Sequence, residues 1–201
     1  MFSDQQLHGP LHLPGSSSVG VLLLHGFTAT TASVRDWAHA VHEATDDAGA
    51  HPGVRVPLLP GHGTQWEELA EQPWQAWRDA VDEQYWALRR EHDRVVVGGL
   101  SMGGAVAQYL AATSDRIERA VFASTATFLG GAGKWQERSD TARTSGMDSI
   151  VAPTVDNWFT EGFKEREAGV VDKFKAMVGS VDPEAYAQCG DALAKWGFDE
   201  R

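Results

Sequence analysis

The chain has 201 residues, 42% of them hydrophobic and 22% charged, which is long enough and apolar enough to bury a real core. A formal net charge of −11 argues against nucleic acid and anionic membrane surfaces as partners, since both select Lys/Arg clusters. The single Cys189 excludes an internal disulfide, and no basic segment with a long apolar run opens the chain, so a soluble cytoplasmic protein is expected.

In chain order, residues 5–13 hold one short edge strand, and Gly15-Ser16-Ser17-Ser18 reads as a turn. Val19–Leu24 is a continuous apolar run, which suits a strand buried on both faces. A helix capped by Thr31 or Ser33 runs to about Glu43, with Val34, Trp37 and Val41 on one face. Val54–Val56 is a second strand, followed by the loop Leu59-Pro60-Gly61-His62-Gly63. Thr64–Ala70 is a short helix, and a longer one enters at Pro73 and reaches about His92. Trp66, Trp74, Trp77 and Trp86 are expected to pack helices on the sheet. Val95–Val97 is a third strand, Ser101–Ala112 a helix and Arg119–Ala123 a fourth strand. Alternation of strand and helix specifies a parallel sheet with helices on both faces. After about residue 130 the pattern becomes helical: Lys134–Thr144, Ser149–Phe159, Glu165–Val178, and Pro183–Lys195 with Asp182 as cap.

Chemistry concentrates at Gly99-Leu100-Ser101-Met102-Gly103. The Gly-x-Ser-x-Gly pattern is weak alone, but here it follows an apolar strand and opens an apolar helix. That is the context of a nucleophile elbow. Ser101 is the candidate nucleophile, and Gly99 and Gly103 are small because strand and helix pass closely. The Met102 amide is one oxyanion donor. His25-Gly26-Phe27 ends the first buried strand, which is expected to neighbour the strand before Ser101. The Phe27 amide is the second donor, with His25 and Gly26 supporting the loop. His62 sits in a tight loop expected to pack beneath the site. No metal-ligand spacing, phosphate loop or dinucleotide fingerprint is present, so neither metal nor cofactor is expected.

With these residues in this order, the chain resembles the α/β-hydrolase superfamily over residues 19–124. Residues 19–98 look like bacterial carboxylesterases and monoacylglycerol-lipase-type hydrolases, through His-Gly-Phe-Thr-Ala-Thr at 25–30 and Pro-Gly-His-Gly-Thr with Trp66 at 60–66. Residues 99–198 look like 3-oxoadipate enol-lactonases. The shared stretches there are Gly-Leu-Ser-Met-Gly-Gly at 99–104, Ala-Arg-Thr-Ser-Gly-Met at 142–147, Asn-Trp-Phe-Thr at 157–160 and Asp-Pro-Glu-Ala-Tyr at 182–186. The change of likeness near the elbow reads as a junction: a natural recombinant, a fused gene model or a designed chimera. The resemblance implies an α/β-hydrolase core over 1–130 and a helical cap over 131–201. Trp135, Arg138 and Trp158 are then candidates for the substrate pocket, the arginine suited to a carboxylate.

The superfamily places its residues in the order Ser, acid, His, yet all eight histidines lie at or before His92. Asp140, Asp148 and Asp172 fall in the helical part and are not assigned as the triad acid. Two further strands with their helices would need about 60 residues, at roughly 30 per unit, so the last strands of the sheet are expected to be missing. The fourth strand would then carry Val121 and Phe122 on an open edge, a route to self-association. Loss of the triad histidine costs on the order of 10⁶ in kcat. Three readings stand: a serine hydrolase of small carboxylic esters or lactones; a truncated or chimeric binding module; and an enzyme using His25 or His62 as base.

Overall fold

The computed structural model describes residues 7–114, 117, 119–126 and 130–195, with the backbone alone at Trp66, Ala70, Trp74 and Ala192. The chain divides into two compact units, 1–129 and 130–201.

The first unit is built on five strands, β1 (Leu11–Leu13), β2 (Val19–Leu24), β3 (Gly53–Val56), β4 (Arg94–Leu100) and β5 (Arg119–Ala123). They lie in the spatial order β1-β3-β2-β4-β5. The alternating strands pair in parallel as expected, and the edge strand β1 runs antiparallel to β3. The helices are α1 (Ala32–Glu43), α2 (Trp66–Ala70), α3 (Trp74–Glu91) and α4 (Met102–Thr113).

Both faces of β2 are covered, which is why it reads as an unbroken apolar run. Val21 and Leu23 face α1 and pack with Val34 and Ala38. The alternate positions face α3: a Cβ on Gly20 would meet Leu88 and His92 at 2.9 and 2.8 Å. Trp77, Val81 and Leu88 are buried along α3, but Trp86 is 44% exposed, contrary to the packing role expected of it. Nine residues beyond Trp77 is about 180° around a helix, so Trp86 faces away from the sheet. The side chains of Trp66 and Trp74 lie outside the described residues.

Thr31 precedes α1 but forms no side-chain cap. Its hydroxyl instead donates to Gly9 O at 2.6 Å, tying the N-terminal segment to the start of α1. On β5, Val121 and Phe122 are 49% and 44% exposed.

The second unit holds α5 (Gly131–Ser145), α6 (Asp148–Val155), α7 (Glu161–Arg166), α8 (Ala168–Gly179) and α9 (Pro183–Ala194). Its core gathers Ala142, Met147, Ile150, Val155, Val171, Val178 and Ala187. The single helix expected over 165–178 is two. Glu167 leaves helical geometry at φ −125°, ψ 41°, closing α7 with its N–H on Phe163 O and opening α8 with its carbonyl under Val170 N–H. Phe163, within α7, stacks on Phe159 at 5.0 Å. Asp182 caps α9, accepting from Ala185 N–H at 2.9 Å. Among the described residues, no helix is long and apolar enough to cross a membrane.

Candidate active site at the carboxyl edge of the sheet

The strand order turns at β2. From there the chain moves outward to β3 on one side, then returns to β4 on the other. Open α/β sheets bind ligands in the crevice such a switch leaves at the carboxyl ends of the strands. β2 and β4 are paired through Leu24 and Gly99, so His25-Gly26-Phe27 and Ser101 emerge side by side.

Ser101 joins β4 to α4 with φ 54° and ψ −118°, a region that L-residues rarely occupy and that costs energy to hold. Its side chain is exposed, and its N–H donates to Ala123 O at 2.9 Å. Thr28 and Ser124, the other non-glycine residues with positive φ among the described residues, follow β2 and β5. Backbone strain therefore gathers on this one edge of the sheet.

Two glycines make the turn sterically feasible. A Cβ on Gly99 would lie 2.2 Å from Gly103 O, and one on Gly103 would lie 2.4 Å from His25 O and 2.5 Å from Leu24 O. Those neighbours are backbone and cannot swing aside. Gly26 lies beside the serine: a Cβ added there would stand 3.4 Å from Ser101 Cβ and 4.0 Å from Oγ. Met102 is the first residue of α4, so its N–H is one of the donors a helix start leaves without an internal partner. Phe27 N–H takes no acceptor among the described residues.

Beneath this edge lies an aromatic bracket. His25 is fully buried, with Nδ1 against Gly26 O at 2.9 Å and Nε2 accepting from Leu59 N–H at 3.1 Å. The His62 ring meets His25 edge-on at 4.8 Å and Trp77 at 5.6 Å. His62 Nδ1 and Trp77 Nε1 both reach Pro60 O, at 3.2 and 2.9 Å. His62 Nε2 is buried with no partner among the described residues. Burial holds His25 below the ordinary imidazole range, its bond to Gly26 opposing this in part. Burial first, and the adjacent His25 second, lower His62 to about 4.

These facts bear on the upstream-histidine reading. Both nitrogens of His25 are engaged, leaving none for Ser101. A group titrating near 4 is a weak base at neutral pH, and His62 is walled in by rings.

In the second unit, Arg138 Nε donates to the Tyr186 hydroxyl at 3.0 Å and Nη2 to Thr154 Oγ1 at 2.6 Å. The guanidinium lies 5.6 Å from the Trp135 ring and 5.9 Å from that of Tyr186. Trp158 is 51% exposed and meets Phe174 edge-on at 6.2 Å, so it belongs to a different aromatic contact. Asp140, Asp148 and Asp172 all lie on helices, α5, α6 and α8. The bonds from His25 to Leu59 and from Arg138 to Tyr186 span 34 and 48 residues, and no local sequence pattern announces them.

Comparison with known proteins agrees with this architecture. The model of the alpha/beta hydrolase family matches residues 21–199. A thermostable monoacylglycerol lipase of Bacillus sp. (strain H-257) is 42% identical over 93 residues, 46% of this chain and 35% of that protein. A 3-oxoadipate enol-lactonase of Acinetobacter baylyi is 36% identical over 98 residues, 48% of this chain and 37% of that protein. The matches thus span about a third of the length of these curated relatives. A hydrolase from Pseudomonas aeruginosa superposes with a TM-score of 0.61 at 26% identity, covering 94% of this chain and 68% of its own. By fold, by the order of its motifs and by this match across most of its length, the chain belongs to the alpha/beta hydrolase family.

Proposed function

We propose that the protein is a serine hydrolase of small carboxylic esters or lactones, acting through a Ser101 acyl-enzyme. The observation that carries this reading is the strained, exposed Ser101 at φ 54°, set against the Gly26 peptide at a helix start. Serine is a poor nucleophile unless held in place, and strain of this kind persists where function requires it.

In the reaction, Ser101 Oγ bonds to the carbonyl carbon as its proton passes to solvent water, since both His25 nitrogens are engaged and His62 is walled in. Charge develops on the carbonyl oxygen, where the amides of Phe27 and Met102 receive it. Collapse expels the alcohol, which takes up a proton; for a lactone the alcohol remains tethered to the acyl group. Water then cleaves the acyl-enzyme and restores Ser101. The chemistry needs no cofactor, and the reading is of a cytoplasmic enzyme. Residues 131–201 are read as the helical cap of the family, with Trp135 and Arg138, and separately Trp158, as its candidate pocket residues. An arginine held by neutral hydroxyls keeps its charge for a substrate carboxylate.

A fluorophosphonate tests the nucleophile. Stoichiometric labelling, abolished in Ser101→Ala, is the expected result; equal labelling of both proteins refutes the assignment. Turnover of p-nitrophenyl acetate and of a carboxylate-bearing lactone then separates the substrates. Arg138→Leu should raise KM for the lactone alone, and an unchanged KM removes Arg138 from the pocket.

A further inference from the structure

We infer that His25 is a positioning residue for the oxyanion donor: its ring fixes the plane of the Gly26–Phe27 peptide and so aims the Phe27 N–H. This rests on the reading of Ser101 and Phe27 proposed above. A trans peptide is planar, with its C=O and N–H pointing in opposite directions, and no peptide bond among the described residues is cis. The Gly26 carbonyl and the Phe27 amide are the two ends of one such plane. Whatever holds the carbonyl therefore also aims the amide.

Two donors hold it. His25 Nδ1 lies 2.9 Å from Gly26 O, and Ala29 N–H donates to the same oxygen at 3.2 Å. The tautomer follows from chemistry. Leu59 N–H can only donate, and it meets His25 Nε2 at 3.1 Å. Nε2 must therefore offer its lone pair, which leaves the proton on Nδ1 to donate to Gly26 O. The loop after β3 thus selects the proton that orients the loop after β2.

The ring has no freedom to turn away. It is fully buried and faces the His62 ring at 4.8 Å. His62 and Trp77 in turn bind Pro60 O, the carbonyl of the residue that follows Leu59 in the same loop. Because a Cβ added at Gly26 would already reach Ser101, this peptide lies beside the nucleophile and its rotation moves the Phe27 N–H there.

Two substitutions separate the halves of the bridge. H25N keeps an N–H near the Nδ1 position and loses the acceptor for Leu59. H25Q keeps an acceptor near Nε2 and loses the donor to Gly26. Removing one oxyanion donor costs about 10²–10³ in rate, so misaiming one by H25Q should slow maximal fluorophosphonate inactivation about 10- to 100-fold. The inhibitor's binding constant should stay unchanged, and H25N, which keeps the donor to Gly26 O, should be slowed less than H25Q; equal slowing of the two overturns the role of the Nδ1 donor. A parent that labels, with H25Q as fast, overturns the role of His25 alone. A parent that fails to label overturns the Ser101 reading and this one with it. Two-bond ¹⁵N–¹H spectra of the unmodified protein give an answer that does not depend on variants folding. The Nδ1–H tautomer is expected at neutral pH, and an Nε2–H or doubly protonated ring overturns the proposal.

Discussion

Ser101→Gly should stabilise the protein while destroying the proposed nucleophile. Ser101 sits at φ 54°, ψ −118°, where a side chain costs about 1–3 kcal/mol. Glycine meets no such penalty but loses about 0.5–1 kcal/mol more conformational freedom on folding. The difference is a net gain of about 1 kcal/mol, or about 2–4 °C in Tm for a chain of this size. Ser101→Ala is the control. It keeps the Cβ and hence the strain, and because the side chain is exposed it sacrifices little burial. The Ser101 N–H bond to Ala123 O is available to all three proteins. Scanning calorimetry, with urea unfolding followed by circular dichroism, should rank glycine above alanine and serine. A glycine variant no more stable than the alanine variant refutes the argument that the elbow stores strain.

Gly103→Ala should be among the most damaging small substitutions, since its Cβ would lie 2.4 Å from His25 O; a loss of about 3 kcal/mol is expected, and a parental urea midpoint would contradict the close approach. Acid should weaken the fold through His62. Its folded pKa of about 4 lies below its ordinary 6.5, so the unfolded chain binds the proton more readily in that window. Stability is unaffected above 6.5 and falls toward pH 4 by roughly 3 kcal/mol. Urea midpoints across pH 7 to 4 should decline less steeply for His62→Phe, and an identical slope removes His62 from the titration. Asp182→Ala should cost about 1 kcal/mol by freeing Ala185 N–H at the start of α9, with Asp182→Asn retaining most of it in thermal melts. Gly190→Ala would put a Cβ 2.3 Å from Ser139 Oγ, and adding Ser139→Ala should recover part of the lost stability; strict additivity in the double variant would show that the two sites do not touch.

The parts legible from sequence were those governed by local patterns. The apolar run of β2, the helical spacing of Trp77, Val81 and Leu88, and the cap at Asp182 all express rules that act within a few residues. The elbow was legible for the same reason, as five residues carry the turn and the steric need for Gly99 and Gly103. Trp86 misled because its aromatic character suggested burial while its angular position put it in solvent. Thr31 misled because its hydroxyl had a distant competitor, Gly9 O, for the bond a cap would use.

Sequence by itself determined an α/β chain with a serine at a strand-to-helix turn, because hydrophobic period and glycine placement are encoded residue by residue. Only the tertiary structure decided which groups surround that serine. Pairing of β2 with β4 brings the Gly26 peptide against Ser101, and burial joins His25 to Leu59 across 34 residues. That bond also decides that His25 keeps its proton on Nδ1 and has no nitrogen left to serve as base. Hydrogen bonds across such distances exist only once the sheet has assembled, so no window of sequence contains them.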